Sequence, residues 1–185
     1  MLVLNHPLNW TQRSRLLRTV QMTSLFVSSQ RAWVIPVTFL ASYVLISFPI
    51  SGQWRAYSPD WVTLVLIYWC MAAPQRVGLG AAWLVGLGVD LLTFGLAGSH
   101  ALTKTVIAFL VGRVALRLRA YPVWQQAAFI LILLTIEAAM LATIEYLLTG
   151  YWGGMFSWKA LAVGLAVWPL LFLVLRRCRR WGRLS

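Results

Sequence analysis

Acid is what this chain has least of. Against sixteen lysines and arginines stand four carboxylates, leaving a formal net charge of +12. Histidine and cysteine are sparser still at two each, and only 11% of the residues are charged. Each shortage excludes a class of function. Cys70 lies in an apolar segment and Cys178 among terminal arginines, which gives neither a disulfide framework nor metal-ligand spacing. His6 sits in the N-terminal stretch and His100 in a loop beside Ser99. Adjacency in sequence does not make a nucleophile–base pair, and there is no zinc-protease motif or cysteine–histidine couple. Glycine pairs at 78/80 and 86/88 fall inside an apolar helix rather than after a strand, so they cannot form a phosphate-cradling loop. The chain therefore reads as non-enzymatic, with no cofactor and no metal. The positive charge does not point to nucleic acid either, because no basic patch with interleaved aromatics lies on a polar scaffold.

What the chain does have is apolar sequence. The hydrophobic fraction is 61% and the mean hydropathy +0.76, where soluble domains run about 45–50% apolar and about 25% charged. This predicts an all-α polytopic membrane bundle of about six transmembrane helices. A basic leader, residues 1–30, contains Arg13, Arg15 and Arg18. It reads either as a membrane-surface helix or as a flexible cytoplasmic tail, and a translation start at Met22 would shorten it to nine residues before Arg31. Residues 31–176 form the transmembrane domain and 177–185 a basic C-terminal tail.

Six apolar segments come after the leader, at about 32–48, 61–73, 77–94, 101–116, 123–148 and 158–175. Ser58-Pro59-Asp60 reads as the start of the second, with Ser58 capping, Pro59 in the first turn and Asp60 complementing the helix dipole. That segment is short for a bilayer needing about 20 residues, so it lines a cavity or sits behind longer neighbours. The third segment carries Gly86 and Asp90, four apart on one face with Trp83 and Phe94. Small residues let helices approach closely in lipid, which predicts that this segment is central. Pro169 is expected to kink the sixth.

Charge sets the topology. With the N-terminus inside, the cytoplasmic side holds the leader arginines, Arg31, Arg76 after the Pro74 turn, Arg113, Arg117, Arg119 and the five C-terminal arginines. The outer side holds only Arg55, Lys104 and Lys159. The positive-inside rule then gives N-in and C-in. Tryptophans and tyrosines fall at both interfaces: Trp33 and Trp124 inside, and Trp54, Tyr57, Trp61, Tyr151, Trp152 and Trp158 outside.

An ionisable group in lipid costs about 2.5–3.5 kcal/mol on insertion scales, so it has a partner or a task. At a rise of 1.5 Å per residue, Asp90 lies roughly 18 Å from the inner start of its helix and roughly 8 Å from the outer end. Lys104 sits just inside the outer face of the next helix, Glu137 is near mid-membrane, and Glu145 is further out on the same face. The bland reading pairs Asp90 with Lys104 to hold the third and fourth helices together. The functional reading is an outward polar cavity or a docking surface for a partner outside the cytoplasm. Glu137 has no cation obvious at its depth, so desolvation protonates it or it faces a cavity or partner. The candidate structural or partner-contact residues are Asp90, Lys104, Glu137, Gly86, Gly98, His100, Arg76 and Pro74.

In order, Ser58-Pro59-Asp60-Trp61, Tyr68-Trp69, Ala73-Pro74-Gln75-Arg76-Val77-Gly78, Asp90-Leu91-Leu92 with Gly95, Gly98 and Ala101-Leu102, Trp124-Gln125-Gln126 and Trp168-Pro169 before a basic tail resemble the rod shape-determining MreD family. The resemblance covers roughly residues 30 to 180, and the long leader departs from it. It implies an inner-membrane component of the rod complex, or elongasome, that scaffolds lateral peptidoglycan synthesis. The implied partners are an MreC-like bitopic protein, RodA with a class B penicillin-binding protein, and MreB indirectly; membrane lipids surround it, and homo-oligomers are left open. The implied fold is similar to the S-components of energy-coupling-factor transporters, so the second reading is a vitamin-binding subunit of such a transporter. Deleting residues 1–21 is expected to leave cell shape unaffected in a complementation assay; rounded cells would give the leader a role.

Overall fold

The computed structural model describes residues 33–47, 57–93, 98–150 and 157–181. Six helices make up that part of the chain: α1 (Val34–Ser47), α2 (Trp61–Ala72), α3 (Leu79–Thr93), α4 (Ser99–Leu118), α5 (Val123–Thr149) and α6 (Trp158–Trp181). The described residues contain no strand. The leader with Met22, and Trp54, Arg55, Phe94, Gly95, Tyr151 and Trp152, lie outside the described residues.

The expected central helix was α3; the structure puts α2 there instead. Ten of its twelve residues are buried, Val62 through Met71 in an unbroken run. Neighbouring α1, α4 and α6 cover it, and an apolar sequence on all faces is what such enclosure needs. At about 1.5 Å per residue it is only about 18 Å long, short of a hydrocarbon core of about 30 Å. A helix sheathed by protein does not have to match the lipid. By contrast α3 packs chiefly on α4 and more lightly on α1. It buries only Ala82, Gly86, Val89 and Asp90, and Trp83 is half exposed. Its small residues serve two local close approaches rather than encirclement.

The first is at Gly86. A Cβ there would stand 2.3 Å from Ala101 Cα and 2.6 Å from both Ala101 N and His100 O. Backbone atoms cannot step aside as a side chain can, so only glycine lets the first turn of α4 lie against α3. Gly88 makes a second approach, to the ring of Tyr43 on α1. The Tyr43 hydroxyl donates to the Val85 carbonyl at 2.7 Å, which ties α1 to the same stretch of α3.

The outward surface is apolar. Leu91, Leu116 and Leu147 are each at least three-quarters exposed, an arrangement water disfavours and lipid accepts. Two helices are long and apolar enough to cross a bilayer: α5, and α6 over Trp158–Arg180. Three others are shorter apolar helices. Trp33, Trp124 and Trp158 are all more than half exposed at helix ends, as interfacial tryptophans are. The last helix runs through Pro169 and past the expected end at residue 175, carrying Arg176 to Arg180 as helix rather than as a loose tail.

Replacing Gly86 by valine is expected to force α3 and α4 apart, costing about 1–3 kcal/mol or more. It should lower abundance and thermal stability in detergent. Gly80→Ala, at a helical position with nothing within 4 Å of the added carbon, is the control and should be neutral or mildly stabilising. Equal stability of the two variants would refute the close-contact account.

Candidate functional site: a buried ion cluster and a helix latch

The helix start at α2 differs by two residues from the sequence expectation. Asp60, not Ser58, is the N-cap: its Oδ1 accepts from the Thr63 amide at 2.9 Å. Pro59 precedes the cap and was expected in the first turn. The other oxygen of Asp60 is thereby aimed at α4. Lys104 Nζ donates to Asp60 Oδ2 at 2.8 Å, to Thr63 Oγ1 at 2.6 Å and to Glu137 Oε1 at 2.8 Å. An ammonium has three donors, and all three are used. Thr63 Oγ1 in turn donates to Glu137 Oε1 at 2.8 Å.

The Lys104 side chain is fully buried, and Glu137 is 3% exposed. One cation thus joins α2, α4 and α5 through charge-assisted bonds, which in a low-dielectric surround are about twice as strong as neutral ones. Two expectations are corrected here. Lys104 does not pair with Asp90, and Glu137 does not lack a cation. Thr63 is the member sequence reasoning missed; its signal was a lone hydroxyl in the first turn of a wholly apolar helix.

Asp90 has a different task. The N-cap of α4 is Gly98, at φ 103°, with no side chain to offer. Asp90, from the last turn of α3, supplies the missing acceptors. Oδ2 takes the Gly98 amide at 2.8 Å and the Ala101 amide at 3.3 Å; Oδ1 takes the His100 amide at 3.0 Å, Ser99 Oγ at 3.2 Å and His100 Nδ1 at 2.9 Å. A helix leaves its first amide groups without partners, and a carboxylate there also meets the positive end of the helix dipole. Asp90 is therefore a cap donated from the preceding helix. The left-handed φ of Gly98 turns the chain so that three amides converge on it, and the close approach at Gly86 brings the carboxylate within reach. Gly86, Asp90, Gly98 and His100 are one unit, and Lys104 belongs to the neighbouring cluster one turn further along α4.

Pro74 and Arg76 lie apart from both, in the turn between α2 and α3 at the opposite end. Glu145 sits near the C-terminal end of α5, partly buried, with Oε2 shielded and unbonded among the described residues. A cavity of about 180 Å³ opens beside the ion cluster, walled by Ser58, Asp60, Glu137, Leu141 and Ser157. Among the described residues no group of histidine, cysteine and acid side chains is placed to hold a metal.

The class this defines is an all-helical bundle with apolar outer faces, its polar side chains knitted into interhelical joints. Residues 27–178 match the family described as rod shape-determining protein MreD. The chain is 30% identical to the rod shape-determining protein MreD of Haemophilus influenzae over 145 residues, which is 77% of this chain and 88% of that one. The chain belongs to the MreD family, membrane proteins that determine rod shape. No solved structure matches it.

Lys104→Met should cost about 3–5 kcal/mol, because it leaves buried acid without its cation. The double variant Lys104→Met/Glu137→Leu should recover part of that loss, since neighbours in one network are non-additive. Detergent melting of the four species measures the coupling; strict additivity would rule the cluster out as an interhelical joint. Asp90→Ala should destabilise more than Asp90→Asn, which keeps one acceptor.

Proposed function

We propose that this protein is a non-enzymatic inner-membrane scaffold of the rod elongation complex, crossing the bilayer six times with both termini in the cytoplasm. Its role is to guide lateral peptidoglycan synthesis with an MreC-like bitopic protein. RodA and a class B penicillin-binding protein act close by, and the MreB filament is coupled indirectly. The reading rests on family membership and on one observation: the Lys104 cluster and the Asp90 cap spend their polar groups on joining helices. Lys104 has no donor left, and both oxygens of Asp90 are taken. Such a site shapes and stiffens a surface; it does not offer a reactive group.

The orientation is supported by charge. Arg76, Arg119, Arg176 and Arg179 gather at the end where α2 and α6 finish, and Lys104 and Lys159 lie near the starts of α4 and α6. An S-component-like fold is part of the proposal, on the resemblance alone. The vitamin-binding alternative needs a pocket of about 300–1,000 Å³. The polar-walled space beside the ion cluster, where an outward-opening pocket would lie, is about 180 Å³, and a space of about 370 Å³ between α4 and α5 has nearly all-apolar walls without convergent polar groups, which favours the scaffold.

Depleting the protein in its host should turn rods into spheres, and purification in mild detergent should bring an MreC-like partner with it. Asp90→Asn should weaken that co-purification or lower abundance. Normal rods after depletion, or a stoichiometric vitamin with no wall-synthesis companions, would hand the case to the alternative.

A further inference from the structure

At the other end of the bundle lies a larger cavity, about 460 Å³, whose walls include Tyr68, Arg119, Gln126, Phe172, Arg176 and Arg179. Three guanidinium groups from two separate elements meet there. The α4–α5 turn contributes Arg119, and the end of α6 contributes Arg176 and Arg179. Arg119 is fixed in place: its Nε donates to the Met71 carbonyl, in the last turn of α2. That leaves its terminal nitrogens for something else.

No side-chain carboxylate answers these charges. The chain has four. Asp60 and Glu137 hold Lys104, Asp90 caps α4, and Glu145 lies near the C-terminal end of α5. Nor is charge the only unmet demand. Gln126 is 4% exposed, and its amide nitrogen donates to the Leu118 and Tyr121 carbonyls, at 3.0 Å each. Its Oε1 is buried with no partner among the described residues. Because the nitrogen is committed, flipping the amide cannot satisfy the oxygen. None of the described residues donates to it, and a buried acceptor left bare is costly.

A ligand for this cavity must therefore be anionic and carry a hydroxyl or amine close to its charge. The cavity also lies at the level where apolar helix gives way to arginine, at residues 175–176 of α6, which is where lipid headgroups reside. We propose that this cavity binds the phosphodiester headgroup of an anionic glycerophospholipid. Phosphatidylglycerol fits both demands, its phosphate to Arg119, Arg176 and Arg179 and its glycerol hydroxyl to Gln126 Oε1. The site is independent of the scaffold reading.

The test is native mass spectrometry of the full chain, purified in mild detergent and exchanged into equal parts phosphatidylglycerol and phosphatidylcholine. Wild-type protein should retain phosphatidylglycerol in preference. Arg176→Gln/Arg179→Gln should reduce retention about tenfold, the scale of one or two charged hydrogen bonds. Arg177→Gln/Arg180→Gln removes the same charge from the same turns, outside the cavity, and should leave retention within about twofold. Equal losses from the two pairs would mean diffuse attraction and overturn the site. Phosphatidylmethanol carries the same phosphodiester without a hydroxyl, so it should be held less well than phosphatidylglycerol; equal retention would overturn the role of Gln126. Stabilisation by inorganic phosphate equal to that by the lipid would overturn the lipid as ligand.

Discussion

A buried ammonium has few places to go, and the end of the bundle where α2 and α4 begin is arranged around that constraint. Lys104 needs three acceptors in a setting that water does not reach. It finds them on two other helices, at Asp60, Thr63 and Glu137. Moving any of the three helices by an ångström or two would strand a charge. A joint of this kind contributes less through net energy than through the penalty for every alternative arrangement. In lipid, hydrophobicity does not discriminate between one helix pairing and another, so a polar joint is a direct way to specify which helices meet and at what height.

The latch at Asp90 solves a different problem at the neighbouring helix start. The chain has to reverse between α3 and α4 in a few residues, and Gly98 permits the turn but cannot cap the helix that begins there. Placing the cap on α3 makes the two helices each other's condition: α4 begins properly only when α3 is packed against it. Gly86 makes that packing sterically possible. The latch and the ion cluster both engage the first two turns of α4, through the amides of Gly98, His100 and Ala101 and through Lys104. This end of α4 is held by both joints, and a partner binding there would meet a pre-formed surface with little conformational entropy left to lose.

Much of this was legible in the residues, and the remainder was hidden for a physical reason. Asp90, Gly86, Gly98, His100, Lys104 and Glu137 stand out because an ionisable group or a glycine in apolar sequence demands explanation. Helix phase and rise give each group a face and a depth, but not the angular position of one helix around another. Asp90 and Lys104 lie at similar depth on consecutive helices, which makes them look like a pair. The decisive facts, a side-chain-less cap at Gly98 and the approach of α5 to α4, belong to tertiary structure. Centrality failed on the same ground. Small residues in α3 signal local close approaches, and the uniform apolarity of the twelve residues of α2 was the better sign of enclosure.

The two ends of the molecule differ in how their charged groups are met. At the end where α4 begins, the Lys104 ammonium and the Asp90 carboxylate are met within the fold, while Glu145 Oε2 has no partner among the described residues. At the arginine-rich end there is no acid to balance, and Gln126 Oε1 has no donor within the described residues. The positive-inside rule accounts for arginine being on that side but not for three of them converging on a single concavity with an orphaned acceptor in its wall. Those features describe a place where the membrane completes the structure. The bundle is then joined by its own charged groups at the end where α4 begins, and it is proposed to depend on lipid at the end where α6 finishes.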